Sequence, residues 1–286
     1  MKLASGDVEL VLAPEAGGSI AAFRWRGIDV MRASGDEAIA ARDPLGLACF
    51  PLVPYSNRIA HGRFVWDERE VWLPRNFGAH PHAIHGLGWQ APWTVEAASE
   101  ATATLTWAHD GSVWPWAFEA RQDFAVTADG FDVALSVANR STTDMPAGLG
   151  LHPYFPNPPA TRLTASLDGW WRTDAFVMPL GHVAEARDDW SHRLHAATTT
   201  DHVFTGLAGP VALDWPTHRL TFTASANAQW LVVYAPAGDT ITAVEPVTQP
   251  TDALNLSGQP GVARLAPDAT LTLSVAYRVS PAGKSA

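Results

Sequence analysis

Cysteine, positive charge and long apolar runs are all scarce in this chain. Cys49 is the only cysteine, so no intrachain disulfide can form. Lys and Arg total 19 against 29 Asp and Glu, a formal net charge of -10. That balance argues against nucleic acid as a partner. No Lys/Arg-rich block marks a polyphosphate groove or an anionic membrane surface. No apolar run approaches the roughly 20 residues of a membrane-spanning helix. The opening stretch, Met1 to Asp7, lacks the apolar core of a signal peptide. The expectation is a soluble cytoplasmic protein with neither membrane nor nucleic acid as a partner. Helical patterning is thin as well. Gly35 to Arg42 has room for a short helix, and Asp188 to Leu194 for about one turn.

Turn formers and tryptophan are abundant. The 22 Gly and 22 Pro are spread along the chain, as in folds built from many short strands. The 13 Trp combine a flat apolar face with a polar edge. Some of them could stack on sugar rings, and most are expected to fill a core. Period-two alternation recurs at Thr102–Trp107, Phe131–Val137, Leu220–Ala224 and Leu271–Tyr277, the pattern of half-buried strands. Turn signals stand at Asp110-Gly111, Asp129-Gly130, Asp168-Gly169 and Gly238-Asp239. Pro156 to Pro159 reads as a surface loop, and the tail from Ser280 to Ala286 as frayed. The fold class is therefore all-β, with few short helices, as one domain over residues 1–286. A large sandwich is favoured over a small barrel because too many strands are implied.

Ionisable residues punctuate this apolar pattern in separate islands. Gly148-Leu149-Gly150-Leu151-His152-Pro153-Tyr154-Phe155 places an imidazole at the end of an apolar strand. Pro153 biases His152 toward extended backbone, the glycines permit close approach, and Tyr154 and Phe155 supply a wall. Such a histidine is either satisfied in the core or poised as an acid or base. In Val53-Pro54-Tyr55-Ser56-Asn57-Arg58, Arg58 could present a forked donor to a ligand oxygen, or close a salt bridge at a loop edge. His80, His82 and His85 lack helical zinc spacing and a nearby Cys or carboxylate, so a metal site is not expected. His85 beside Gly86 is the more informative of the three, with Trp89 or Trp93 as a stacking face. Glu245 ends the apolar run Ile241 to Val244. A carboxylate there is costly unless paired or used, and Arg58 is a possible structural partner. Asp201 precedes His202 and Val203 and reads on its own as a turn residue.

Taken in order, these islands resemble the aldose 1-epimerase (galactose mutarotase) family. The resemblance rests on Leu52 to Ile59 with Gly62 and Phe64, His85-Gly86-Leu87-Gly88, His152-Pro153-Tyr154-Phe155, Asp201-His202-Val203-Phe204, and Glu245-Pro246 with Asp252-Ala253 and Asn255. His-Gly-Leu-Gly-Trp around the first motif histidine departs from the better-known members and looks like a less characterised bacterial branch. The resemblance implies a large antiparallel β-sandwich of the galactose mutarotase-like supersandwich type. It implies Glu245 as general base and His152 as general acid, with Arg58, His85, Asp201 and Asn57 binding the sugar. It also implies a hexose substrate such as galactose or glucose, no metal or other cofactor, and a monomer or homodimer. A branch acting on hexose 6-phosphates is the alternative, with Arg63 and Arg75 as the available cations. A non-catalytic sugar-binding protein and a glycosidase using Asp201 with Glu245 are the other readings. At unperturbed pKa values of about 4.3 and 6.5, ionised Glu245 and protonated His152 would coexist in mildly acidic to neutral solution, with Arg58 helping to keep Glu245 ionised.

Overall fold

The computed structural model describes residues 1–283. Eighteen strands join into one hydrogen-bonded sheet system, and every strand ladder among the described residues is antiparallel. Three small two-stranded ladders decorate it, including Arg58–Ile59 with Ala83–Ile84. The α-helices among the described residues are short, Asp36–Ala41 and Ser191–Leu194.

The core follows from period-two patterning. In the Gly130–Asn139 strand, Phe131, Val133, Leu135 and Val137 are buried on one face. The Thr270–Pro281 strand pairs with it and buries Leu273, Val275, Tyr277 and Val279. Phe131 stands opposite Tyr277, with ring centroids 4.8 Å apart, and Phe23 meets Phe131 edge-on at 4.9 Å. Each such side chain removed from water contributes roughly 1.5–3 kcal/mol. Most tryptophans serve this packing, and Trp89, Trp114 and Trp190 are among the largest fully buried side chains.

Several local expectations are corrected. Asp168-Gly169 is not a turn. It lies inside the Arg162–Thr173 strand, where the register against Pro179–Asp189 shifts between Leu167 and Gly169. A β-carbon on Gly169 would press on the Val183 carbonyl and the His182 ring, so this glycine serves an irregular strand. Asp188 and Asp189 end a strand, leaving only Ser191–Leu194 helical. Ser280 and Pro281 complete the last strand, pairing with Arg219 and His218. The remainder of the expected frayed tail, residues 284–286, lies outside the described residues.

Candidate active site

Strand register builds the floor of the site. The Gly150–Pro156 strand lies between Cys49–Leu52 and Ile241–Val247. Ile241–Val247 pairs in turn with Trp230–Ala235, and that strand with Thr200–Thr205. Continuing the register of Gly150 with Val247 and Tyr154 with Ala243 sets His152 directly opposite Glu245. On their outer sides, Phe50 pairs with His152 and Val232 with Glu245. Side chains directly opposite share a face. One row therefore reads Phe50, His152, Glu245, Val232, Val203, and the next reads Tyr154, Ala243, Tyr234, Asp201. The intervening residues Leu151, Phe155, Val244, Leu231, Val233 and Phe204 turn the other way, into the main core.

The second wall comes from two loops locked together. Arg58 pairs with Ile84, and the His85 N–H donates to the Asn57 carbonyl at 2.8 Å. Asn57 and His85 both have positive φ, 56° and 62°, a conformation that Asn and His tolerate better than most residues. Gly86, at φ 72°, forms a parallel bridge with Val53. The Asn57 side-chain oxygen accepts from Arg58 Nη1 and from the Arg58 backbone N–H, each at 3.0 Å. That fork directs the guanidinium toward Asp201, with Nη2 3.5 Å from Oδ2. Asn76 ties the histidine loop from behind, donating to the Ile84 and Gly86 carbonyls and accepting the Ile84 N–H.

The resulting cleft encloses about 340 Å³ and brings Asn57, Arg58, His85, His152, Asp201 and Glu245 together. That volume lies within the range of small-molecule sites. All six residues singled out from the sequence line this one cleft. Asp201 does so from within the Thr200–Thr205 strand, not from a turn. Leu45, Phe77, Tyr154, Val232 and Tyr234 complete the lining. Of these only Tyr154 was legible beforehand, as a wall beside His152. Phe77, Tyr234 and the Asn76 strap carry no distinguishing sequence signal.

Burial dominates the electrostatics. His152 Nε2 lies 3.2 Å from Glu245 Oε1, and both side chains are nearly inaccessible. Burial raises the Glu245 carboxyl well above its ordinary range; the nearby Asp201 charge adds to this and Arg58 opposes it. Burial lowers His152 to about 3, with Arg32 and Arg58 pushing the same way. His85 is likewise held well below its usual range by burial, then by His152 and Arg58. Burial therefore pushes both groups toward their neutral forms, a carboxylic acid beside an imidazole. The coexistence of ionised Glu245 and protonated His152 expected at unperturbed values does not carry over directly, because burial shifts both groups. Arg58 does not neutralise Glu245 directly, because its carboxylate partner is Asp201.

Other local readings change too. Phe155 faces the main core and forms no part of the cleft wall. Trp89 and Trp93 are buried: Trp89 stacks on Phe50 at 5.4 Å, and Trp93 donates to the Gly88 carbonyl. They support the site and offer no open stacking face. The glycines make room for protein and not for ligand. A β-carbon would strike Gln249 at Gly148, the Leu52 and Val247 side chains at Gly150, and the Val53 carbonyl at Gly86. His82 Nδ1 accepts the His61 N–H, and His80 Nδ1 accepts the His82 N–H. Among the described residues no group of His, Cys, Asp and Glu is arranged to hold a metal ion. Neither Arg63 nor Arg75 lines the cleft, and Arg63 pairs with Glu70.

Comparison with known proteins adds a second line of support. Residues 2–278 match the family model described as aldose 1-epimerase. Over 169 residues the chain is 37% identical to the uncharacterized protein YphB of Escherichia coli K12, a match spanning 59% of this chain and only 56% of YphB. It is 26% identical over 275 residues to the uncharacterized protein YihR of the same organism, covering 89% and 85% of the two chains. A candidate aldose 1-epimerase from Escherichia coli K12 superposes with a TM-score of 0.89 at 25% identity, over 98% of each chain. A galactose mutarotase-like protein from Clostridium acetobutylicum superposes at 0.84 with 18% identity, over 98% and 94% of the chains. A galactose 1-epimerase from Lactobacillus acidophilus gives 0.77 at 17% identity, over 98% and 93%. The last two comparisons establish a common fold.

Proposed function

Since the chain belongs to the aldose 1-epimerase family, we propose that it interconverts the α and β anomers of a free hexose such as galactose or glucose. The observation that carries this reading is the buried His152–Glu245 contact of 3.2 Å on the floor of the cleft. Mutarotation requires a base at the C1 hydroxyl and an acid at the ring oxygen. The resting pair holds one proton on the carboxyl. Passing it across the contact to His152 Nε2 creates the carboxylate and imidazolium that ring opening uses. Glu245 then takes the C1 hydroxyl proton while His152 protonates the ring oxygen, and the C1–O5 bond breaks. The open-chain aldehyde thus coincides with the neutral pair that burial favours. After rotation about C1–C2, the ring hydroxyl attacks the other face of the aldehyde. Glu245 returns its proton to the carbonyl oxygen, and His152 takes the one from the attacking hydroxyl. Asn57, Arg58, His85 and Asp201 would hold the remaining hydroxyls. No residue in this sequence of steps needs a cofactor.

Cleft charge favours a neutral sugar over a hexose 6-phosphate. Among the described residues Arg58 is the only Lys or Arg lining the cleft, and Asn57 and Asp201 already engage it. The test is to add the protein to freshly dissolved α-glucose and α-galactose and follow the anomeric proton signals. Faster exchange supports the proposal. Binding without faster exchange would make the protein a sugar-binding module, and faster exchange confined to 6-phosphorylated hexoses would replace the substrate class.

A further inference from the structure

The backbone around Arg58 is held by Asp252 from outside the cleft, by its main-chain N–H at Arg58 and its carboxylate at Ala60. The loop after the Ile241–Val247 strand runs back against the stretch that carries Asn57 and Arg58. There the Asp252 N–H donates to the Arg58 carbonyl at 2.8 Å. Asp252 Oδ1 accepts the Ala60 N–H at 2.9 Å and an Asn255 side-chain N–H at 2.7 Å. The same Asn255 nitrogen donates to the Arg63 carbonyl at 2.9 Å. On the near side of Asn57, the Ser56 hydroxyl donates to the Gln249 carbonyl at 3.1 Å. The backbone is therefore held on both flanks of Asn57-Arg58 by one short segment, Gln249 to Asn255.

Asp252 itself adopts a left-handed backbone, with φ 59°. It is buried but absent from the cleft lining, and no Lys or Arg among the described residues forms a salt bridge with it. A buried carboxylate without an ion pair, spent on backbone N–H and amide donors, fixes geometry more than charge. The segment it fixes carries the guanidinium that meets Asp201. It is also covalently continuous with Glu245, so the clamp links the acid–base strand to the sugar-binding loop.

We infer that Asp252 is a positioning residue for Arg58, holding the guanidinium where it engages the sugar; this rests on the reading of Arg58 as a sugar-binding residue. A misplacement of about 1 Å can cost up to 10²-fold where geometry matters. Asp252→Ala should raise KM on the order of tenfold, with kcat changed by less than about twofold. Asp252→Asn keeps an oxygen acceptor and tolerates the left-handed backbone, so it should stay close to the wild-type KM. In an Arg58→Ala background, Asp252→Ala should add little further to KM. A full additive effect, an unchanged KM, or a loss confined to kcat would each overturn the assignment.

Hydrogen exchange keeps the clamp separable from the reaction. In Asp252→Ala, amides of residues 57–62 should exchange faster while the Gly130–Asn139 strand is unchanged. Unchanged exchange at 57–62 rejects the clamp, even if the wild-type protein proves to have no mutarotase activity. Should Asp252→Ala fail to fold, Asn255→Ala provides the same two readouts. It removes one donor to Oδ1 and the bond to Arg63. A smaller rise in KM with the same local exchange pattern supports the clamp, and wild-type behaviour in both rejects it.

Discussion

His152 and Glu245 face each other at 3.2 Å across adjacent antiparallel strands, each followed directly by a proline. Pro153 and Pro246 supply no N–H to the ladder, and the pair sits where regular pairing between Gly150 and Tyr154 is interrupted. The two titratable side chains are thereby locked by backbone register and not by flexible loops. Phe50 covers the imidazole at a ring distance of 4.5 Å, and His85 meets it edge-on at 5.2 Å. Such packing fixes the direction of Nε2, which a proton-transfer group requires.

The pair should carry the proton transfers together. Glu245→Gln and His152→Asn are each expected to lower kcat by about 10²-fold or more, the usual size of an acid–base contribution. The double variant should lose much less than the product of the two single losses, because the residues act as one unit. Polarimetry on fresh α-galactose measures this directly. Wild-type rates in both single variants would remove the pair from the mechanism.

Much of this arrangement was legible in the sequence, and for identifiable reasons. Alternation at Phe131–Val137 and Leu271–Tyr277 marks strands that do form and pair, Phe131 with Tyr277. His152, Glu245, His85 and Arg58 were visible because ionisable groups interrupt apolar runs, whereas Asp201 and the sugar-binding roles came from the family resemblance, and the cleft gathers all of them with Asn57. What escaped depends on tertiary context. Asp168-Gly169 looks like a turn, but the glycine is demanded by a neighbouring strand. Asp201 looks like a turn residue, yet it pairs with Tyr234 inside the sheet. Trp89 and Trp93 could not be told apart from exposed stacking residues until packing buried them. The protonation of His152 and Glu245 could not be read from residue type, because burial shifts both groups.

Arg58 and Asp201 should act mainly on binding. Their 3.5 Å contact is largely shielded from solvent, and both groups reach the cleft. Arg58→Ala leaves the Asp201 carboxylate in the cleft without its cation. Its KM should rise on the order of tenfold or more, since hydrogen bonds to charged groups are worth about 1.5–3 kcal/mol, with kcat much less affected. Asp201→Asn should shift KM in the same direction by a smaller factor, because the amide keeps one acceptor. Initial-rate kinetics separate the two constants. A selective fall in kcat for Arg58→Ala would instead place the guanidinium in the chemistry.

Gly86 is a structural requirement of the His85 loop. Its φ of 72° lies in a region that costs other residues about 1–2 kcal/mol. A β-carbon there would also overlap the Val53 carbonyl and crowd the Pro54 nitrogen. Gly86→Ala should therefore destabilise the fold by more than the conformational cost alone and weaken sugar binding through His85. Thermal unfolding and KM together test this. An unchanged midpoint would mean the Val53–Gly86 bridge is dispensable.

The neutral resting pair has a consequence for stability that can be separated from catalysis. Glu245 has a folded pKa raised above its unfolded value, so its favourable contribution is complete below about 4.3. That contribution is lost as pH rises toward the folded pKa, because the unfolded state has released a proton that the folded state still holds. His152 behaves oppositely. Its folded pKa of about 3 means that stability is gained as pH rises from about 3 to 6.5 and is complete above the unfolded value. In the wild type the two slopes oppose each other between about 4.3 and 6.5. Above that window only the Glu245 term remains. Glu245→Gln removes it, so the variant should gain stability relative to wild type as pH rises from 5 to 8. The slope cannot exceed about 1.4 kcal/mol per pH unit for one proton. Denaturant unfolding of both proteins at several pH values gives the difference. A gap that stays constant with pH would show that Glu245 is ionised throughout this range and would remove the neutral resting pair.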